Sequence, residues 1–110
     1  MTPKRIQLRR ARGWRMPENT VKVDRSTPWG NPFITGKHGT RAECVELYRG
    51  LMAGFICLTT FNADKQKAAR EHVIHHIDEL RGKNLACWCP PDAPCHADVL
   101  LEIANREETP

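Results

Sequence analysis

The feature that most constrains this chain is the run Leu85-Ala-Cys-Trp-Cys89, closed by Gly82 on one side and by Pro90 and Pro91 on the other. A short apolar run between chain breakers has the pattern of a strand buried on both faces, as in a parallel sheet. Beyond the prolines, Val99, Leu100, Ile103 and Ala104 recur at helical spacing, and Pro94 suits the first turn of that helix. A buried strand feeding directly into a helix predicts an α/β domain. In open sheets of that class, ligands sit beyond the carboxyl ends of the strands, beside helix N-termini.

The rest of the chain fits this frame. Arg5–Leu8 alternates weakly and Thr20–Asp24 alternates cleanly, predicting two short strands, with an irregular segment around Gly13, Trp14 and Pro17 between them. Pro28, Gly30, Pro32, Gly36 and Gly39 forbid a helix between residues 26 and 39. Thr40-Arg-Ala-Glu43 has capping-box form. Behind it Cys44, Leu47, Tyr48, Leu51, Met52 and Phe55 fall on one helical face. Asn62 suits the cap of a second helix burying Ala69, Val73, Ile77 and Leu80, with Gly82 as its stop.

The expected order is β-β-α-α-β-α. This describes a single compact α/β domain over residues 1–110, with a small, mostly parallel or mixed sheet flanked by about three helices. A polar tail, residues 106–110, closes it.

Charge is distributed unevenly. Residues 1–25 carry eight Lys or Arg against Glu18 and Asp24, a net +6, while the remainder is net −2. A concentrated basic segment suits phosphates, from a nucleotide or from a nucleic-acid backbone meeting residues 4–25, with Trp14 and Trp29 as stacking groups. The plainer reading is a solvated basic hairpin. No apolar run reaches the length of a membrane span; the longest, Leu51 to Leu58, already contains Gly54. The N-terminal residues lack the apolar stretch of a secretory signal, so the cytoplasm of a bacterium or a phage-infected cell is the expected setting. There, five cysteines read as thiols or ligands and not as a disulfide framework.

The chemistry is concentrated in Cys87–Asp98, twelve residues holding three thiols, an imidazole and two carboxylates. On a strand, Cys87 and Cys89 share a face, with Cys87 expected to be a buried small hydrophobe. Cys95 and His96 fall at a helix start, where the dipole favours a thiolate or a bound phosphate, and a Cys beside a His suits a nucleophile and base. Asp98 is placed to orient His96 or to bind a sugar hydroxyl. The prolines around Cys89, Cys95 and His96 predict an exposed loop, whereas Cys44 and Cys57 are expected in the core.

Zinc competes, because Cys87, Cys89, Cys95 and His96 match a closed structural set. The adjacency of Cys95 and His96 and the lack of a C-x-x-C knuckle weigh against it. His72 and His76 have i,i+4 spacing on the second helix, but no third ligand lies near them in sequence, and a solvated face is the simpler reading. In Trp29-Gly30-Asn31-Pro32-Phe33, Gly30 permits close approach, Asn31 offers donors and an acceptor, and Arg25 lies just upstream to meet an anion. If the strand before this loop runs parallel to residues 85–89, then Cys89, Cys95, His96 and Asn31 share one cleft with Arg25 at its rim.

Arg25, Gly30-Asn31-Pro32-Phe33, Tyr48-Arg49, Leu85-Ala-Cys-Trp-Cys89 and Cys95-His96-Ala-Asp-Val-Leu100 together resemble the domain-of-unknown-function family 4326, small phage and bacterial proteins. The family commonly reads Cys-His-Gly-Asp in the last block, and Ala97 stands here in place of that glycine. The resemblance implies a compact α/β fold and a phage or prokaryotic setting, and brings no established reaction. The residues point to a small enzyme or binding protein for a nucleotide, nucleoside or modified base. In this reading Cys89, Cys95, His96 and Asp98 are the reactive groups, and Arg25, Trp29, Gly30 and Asn31 hold the ligand. The alternative is a phage nucleic-acid or host-protein binding module, stabilised by zinc if a metal is present.

Overall fold

The computed structural model of the chain describes residues 3–55, 63–90 and 92–105. The proposed cap Asn62, the core position given to Cys57 and the tail beyond 105 lie outside these residues. The elements run β1 (Arg5–Gln7), β2 (Thr20–Lys22), α1 (Arg41–Met52), α2 (Ala63–His76), a 3₁₀ turn (Ile77–Leu80), β3 (Asn84–Cys87) and α3 (His96–Ala104). This is the expected order and an α/β fold.

The sheet has the order β1-β3-β2, and both outer strands run parallel to β3. Leu85, Ala86 and Cys87 are almost wholly buried, as befits the middle strand of a parallel sheet. Pairing continues past the short strands: Val23 N–H donates to Ala86 C=O at 2.9 Å, and Leu8 N–H to Cys87 C=O at 2.8 Å. The solvated-hairpin reading of the basic end is therefore corrected. β1 and β2 never pair, because β3 lies between them and residues 8–19 cross from one edge of the sheet to the other. β3 also stops at Cys87, two residues short of the apolar run, where the chain turns toward Pro90.

α1 begins as its capping box requires. Thr40 N–H donates to Glu43 Oε1 at 2.9 Å, and Glu43 N–H to Thr40 Oγ1 at 3.2 Å. Its buried residues are Cys44, Val45, Tyr48 and Leu51. Phe55, expected on that face, is 75% exposed, because the helix ends at Met52 and Gly54 turns the chain at φ +106°.

α2 buries Val73, as expected, and Gln66, which was not expected. The following 3₁₀ turn buries Leu80 before Gly82 at φ +75°. α3 buries Ala97, Val99, Leu100 and Ala104 and packs against β1, β3 and α1. Pro94 precedes it instead of entering its first turn, and Cys95 takes the N-cap position.

Candidate functional site

Because β2 and β3 are parallel, the loops that leave them emerge at the same edge of the sheet. After β2 the chain is tied into a tight turn around Asp24. Ser26 Oγ–H donates to Asp24 Oδ1 at 2.6 Å, and Thr27 Oγ1–H to the Asp24 carbonyl at 2.8 Å. Gly30 then folds back onto this turn so closely that a Cβ there would stand 2.7 Å from Arg25 Cα. Asn31 fastens the loop to α1: its Nδ2 donates to Cys44 C=O at 3.0 Å, and its Oδ1 accepts from Phe33 N–H at 2.9 Å. Arg25, Asn31 and the first turn of α1 are thereby held together.

On the β3 side, Arg5 anchors the loop. Its Nη2 donates to Pro90 C=O at 2.8 Å, and its Nη1 pairs with Asp98 Oδ2 at 3.0 Å. Within this loop the Cys87 and Cys95 sulfurs lie 3.1 Å apart. With Cys89 added, all three sulfurs fall within 4.8 Å of one another, a grouping that could hold a metal ion. Cys87 and Cys95 are each 1% exposed, while Cys89 is half-buried.

Hydrogen bonding within the cluster sets its three thiols apart. Hydrogen bonds from Cys87 and Cys95, then the positive charge of Arg41, hold the Cys89 thiol well below its usual range. The bonds to Cys89 and Cys95, and then burial, push Cys87 far up. For Cys95 the bond to Cys87 pulls down, but the bond to Cys89 and burial outweigh it, and the net direction is up.

His96 Nε2 lies 2.6 Å from Val23 C=O. A carbonyl only accepts, so Nε2 carries the proton, and the free lone pair of Nδ1 is left 3.8 Å from Cys95 Sγ. Burial pushes this imidazole toward its neutral form.

These residues surround a cleft of about 210 Å³ lined by Arg25, Asn31, Thr35, Arg41, Cys89, Cys95 and His96 among others. A second hollow of about 160 Å³ shares Arg25, Asn31, Cys89 and His96 and adds Asp24, Cys87 and Trp88. The lining includes the first turn of α1 and the first residues of α3, so the positive ends of two helices and two guanidinium groups border one cavity. Larger hollows lie elsewhere, one of about 530 Å³ beside His38 and Leu47 and one of about 510 Å³ beside Lys4 and Asn84, and neither is lined by a thiol.

The expected meeting of Cys89, Cys95, His96, Asn31 and Arg25 is present. Other placements differ from the sequence reading. Cys95 and His96 are buried, not exposed on a loop, because α3 starts at His96 and turns both side chains inward. Asp98 does not orient His96; it pairs with Arg5, and the Val23 carbonyl does the orienting. Trp29 is a core residue, 6% exposed, with its carbonyl accepting from Tyr48 Oη–H and its ring packed edge-on against His72. Gly30 shapes the loop and does not line the cleft. Cys87 is buried as expected, yet its sulfur belongs to the cluster.

Sequence reasoning missed Arg41 and Trp88. Arg41 had a signal, since a cation in the first turn of a helix opposes the dipole and calls for another reason to be there.

Fold and site define a small α/β protein with a thiol-lined cleft at the carboxyl ends of a parallel sheet. The chain belongs to the family described as Domain of unknown function (DUF4326), whose model matches residues 6–106. It is similar to the "Uncharacterized 12.4 kDa protein in nrdA-td intergenic region" of Enterobacteria phage T4, with 33% identity over 86 residues, covering 78% of this chain and 68% of that protein. No solved structure matches the chain. Among the described residues, no helix is long and apolar enough to cross a membrane.

Proposed function

We propose that the protein binds a small anionic ligand of the nucleotide class in this cleft, and acts on it through the Cys89 thiolate. The observation that carries the reading is the placement of a half-exposed thiol, held low, in one lining with Arg25, Arg41 and the starts of α1 and α3. A phosphate is the natural occupant of such a helix-end site. The two adjoining hollows, about 210 and 160 Å³, leave room for a base or sugar beside it. In this reading Cys89, already a thiolate, is the nucleophile, and His96 Nδ1, 3.8 Å from Cys95 Sγ, is the base nearest the thiol cluster. The setting we propose is the cytoplasm of a bacterium or of a phage-infected cell.

Titration calorimetry with nucleoside monophosphates and with inorganic phosphate tests this. Loss of one charge-assisted hydrogen bond costs roughly 1.5–3 kcal/mol, so the double variant R25A/R41A should bind at least about tenfold more weakly. Failure of the wild-type protein to bind any of these ligands overturns the reading.

A second reading keeps the same residues and replaces the nucleophile by zinc. Its support is the closeness of the Cys87, Cys89 and Cys95 sulfurs; His96, expected as the fourth ligand, stands outside that grouping. Stoichiometric zinc in the purified protein, lost together with the fold on chelation, selects this reading. A folded, zinc-free protein rejects it.

A further inference from the structure

The carboxyl edge of the sheet carries a feature that the cleft alone does not use. Trp88 follows β3 directly and is 42% exposed, one position after the fully buried Cys87. Its indole is fixed: Nε1–H donates to Asp24 Oδ2 at 2.8 Å, and Asp24 is itself pinned by Ser26. The same indole lines the smaller hollow with Arg25 and Cys89, so one part of the ring borders the proposed ligand site. The Arg10 guanidinium lies over the ring, 5.0 Å from its centroid.

Arg9, Arg10 and Arg12 leave β1 at this edge, where Leu8 is bonded to Cys87, and all three are exposed. Among the described residues, no ion pair uses any of them. Of the same basic segment, Arg5 is held by Asp98 and Lys22 by Asp24, whereas Arg9, Arg10 and Arg12 face solvent.

We propose that the nucleotide taken by the cleft is one residue of a single-stranded nucleic acid, with its neighbouring base stacked on the Trp88 face that Arg10 covers and its phosphates on Arg9, Arg10 and Arg12. The inference rests on the nucleotide reading of the cleft and extends it. The guanidinium stands only 5.0 Å from the ring centroid, so an unpaired base takes the slot against the rigid indole by displacing Arg10 toward a phosphate. A duplex, whose bases are already stacked, cannot enter that slot. The exposed arginines supply the phosphate contacts that give strand binding its salt dependence.

Fluorescence anisotropy with a labelled twelve-residue oligothymidylate tests this, with a hairpin duplex, polyglutamate and thymidine monophosphate as competitors. The expected result is binding that weakens steeply with salt and is displaced poorly by duplex and polyglutamate. W88A should weaken it about tenfold, W88F should restore most of it, and R9E/R10E/R12E should abolish it. Thymidine monophosphate should still bind the same charge-reversed protein, which shows that the variant is folded. Binding of the mononucleotide without tighter binding of the strand overturns this inference alone. Binding of neither overturns the cleft reading as well. Equal competition by duplex or polyglutamate, or full strand binding by W88A, rejects the stacked single strand.

Discussion

Replacing Gly30 by alanine tests how the site is assembled. The added Cβ would lie 2.7 Å from Arg25 Cα, 3.1 Å from the Asp24 carbonyl oxygen and 3.3 Å from Arg25 C. All three neighbours are backbone, so no flexible side chain can move aside. The residue has no positive φ to complicate the reading, and the whole effect is contact. Overpacking of this kind costs about 1–3 kcal/mol. For a domain near this size, each kcal/mol moves Tm by roughly 4–8 °C.

G30A should therefore melt at least several degrees lower, and it should also bind ligand more weakly, because Arg25 and Asn31 are pushed apart. Gly50 provides the contrast. It sits inside α1 with nothing within 4 Å of a built Cβ, so G50A should gain roughly 0.5–1 kcal/mol from helix propensity and reduced unfolded-state freedom. Thermal denaturation followed by circular dichroism reads both. A G30A protein with unchanged Tm and affinity would refute the close fold-back of the loop onto Arg25.

Three further outcomes are expected. T40A removes the acceptor for Glu43 N–H and should cost about 1 kcal/mol in a urea melt, with the helix content retained. R5A removes the bonds to Asp98 and to the Pro90 carbonyl, and should speed limited proteolysis between residues 88 and 95 more than it lowers Tm. Burial works to raise the Asp24 carboxyl, but bonds from Ser26 and Trp88 and the Lys22 charge outweigh it and hold it below its ordinary 3.8. With the folded value depressed, its stabilisation is complete above 3.8 and is lost as pH falls through the folded value. Urea midpoints measured from pH 5 to pH 3 should fall less steeply for D24N than for wild type.

The sheet was legible because residues 85–87 are buried on both faces and read as an unbroken apolar run. The capping box fixed the start of α1 for a local reason that needs no tertiary context. Periodicity failed at Phe55, where the positive φ of Gly54 ends the helical pattern before the side chain reaches the core. It failed in a different way at Gln66, a polar residue buried by tertiary packing.

The cleft was legible in part. Chain connectivity, legible in the sequence, brings Cys89, Cys95 and His96 together, whereas Arg25 and Asn31 join them because β2 runs parallel to β3, which the sequence left as a condition. Burial within the site did not follow: the helix start at Cys95 and His96 was legible, but no local signal says that both side chains turn inward. Nor does sequence reveal that the Val23 carbonyl, seventy-three positions away, takes the role given to Asp98. Trp29 and Trp88 exchange the roles that their neighbours suggested, one in the core and the other at the rim.

The most direct test of the central claim is the alkylation rate of each cysteine under iodoacetamide, read by peptide mass spectrometry with and without a nucleoside monophosphate. Cys89 should react first, ahead of the buried Cys44, Cys87 and Cys95, and the nucleotide should protect it in wild type but not in R25A/R41A. Labelling of Cys89 no faster than of Cys44, or at a rate indifferent to nucleotide, would contradict the account.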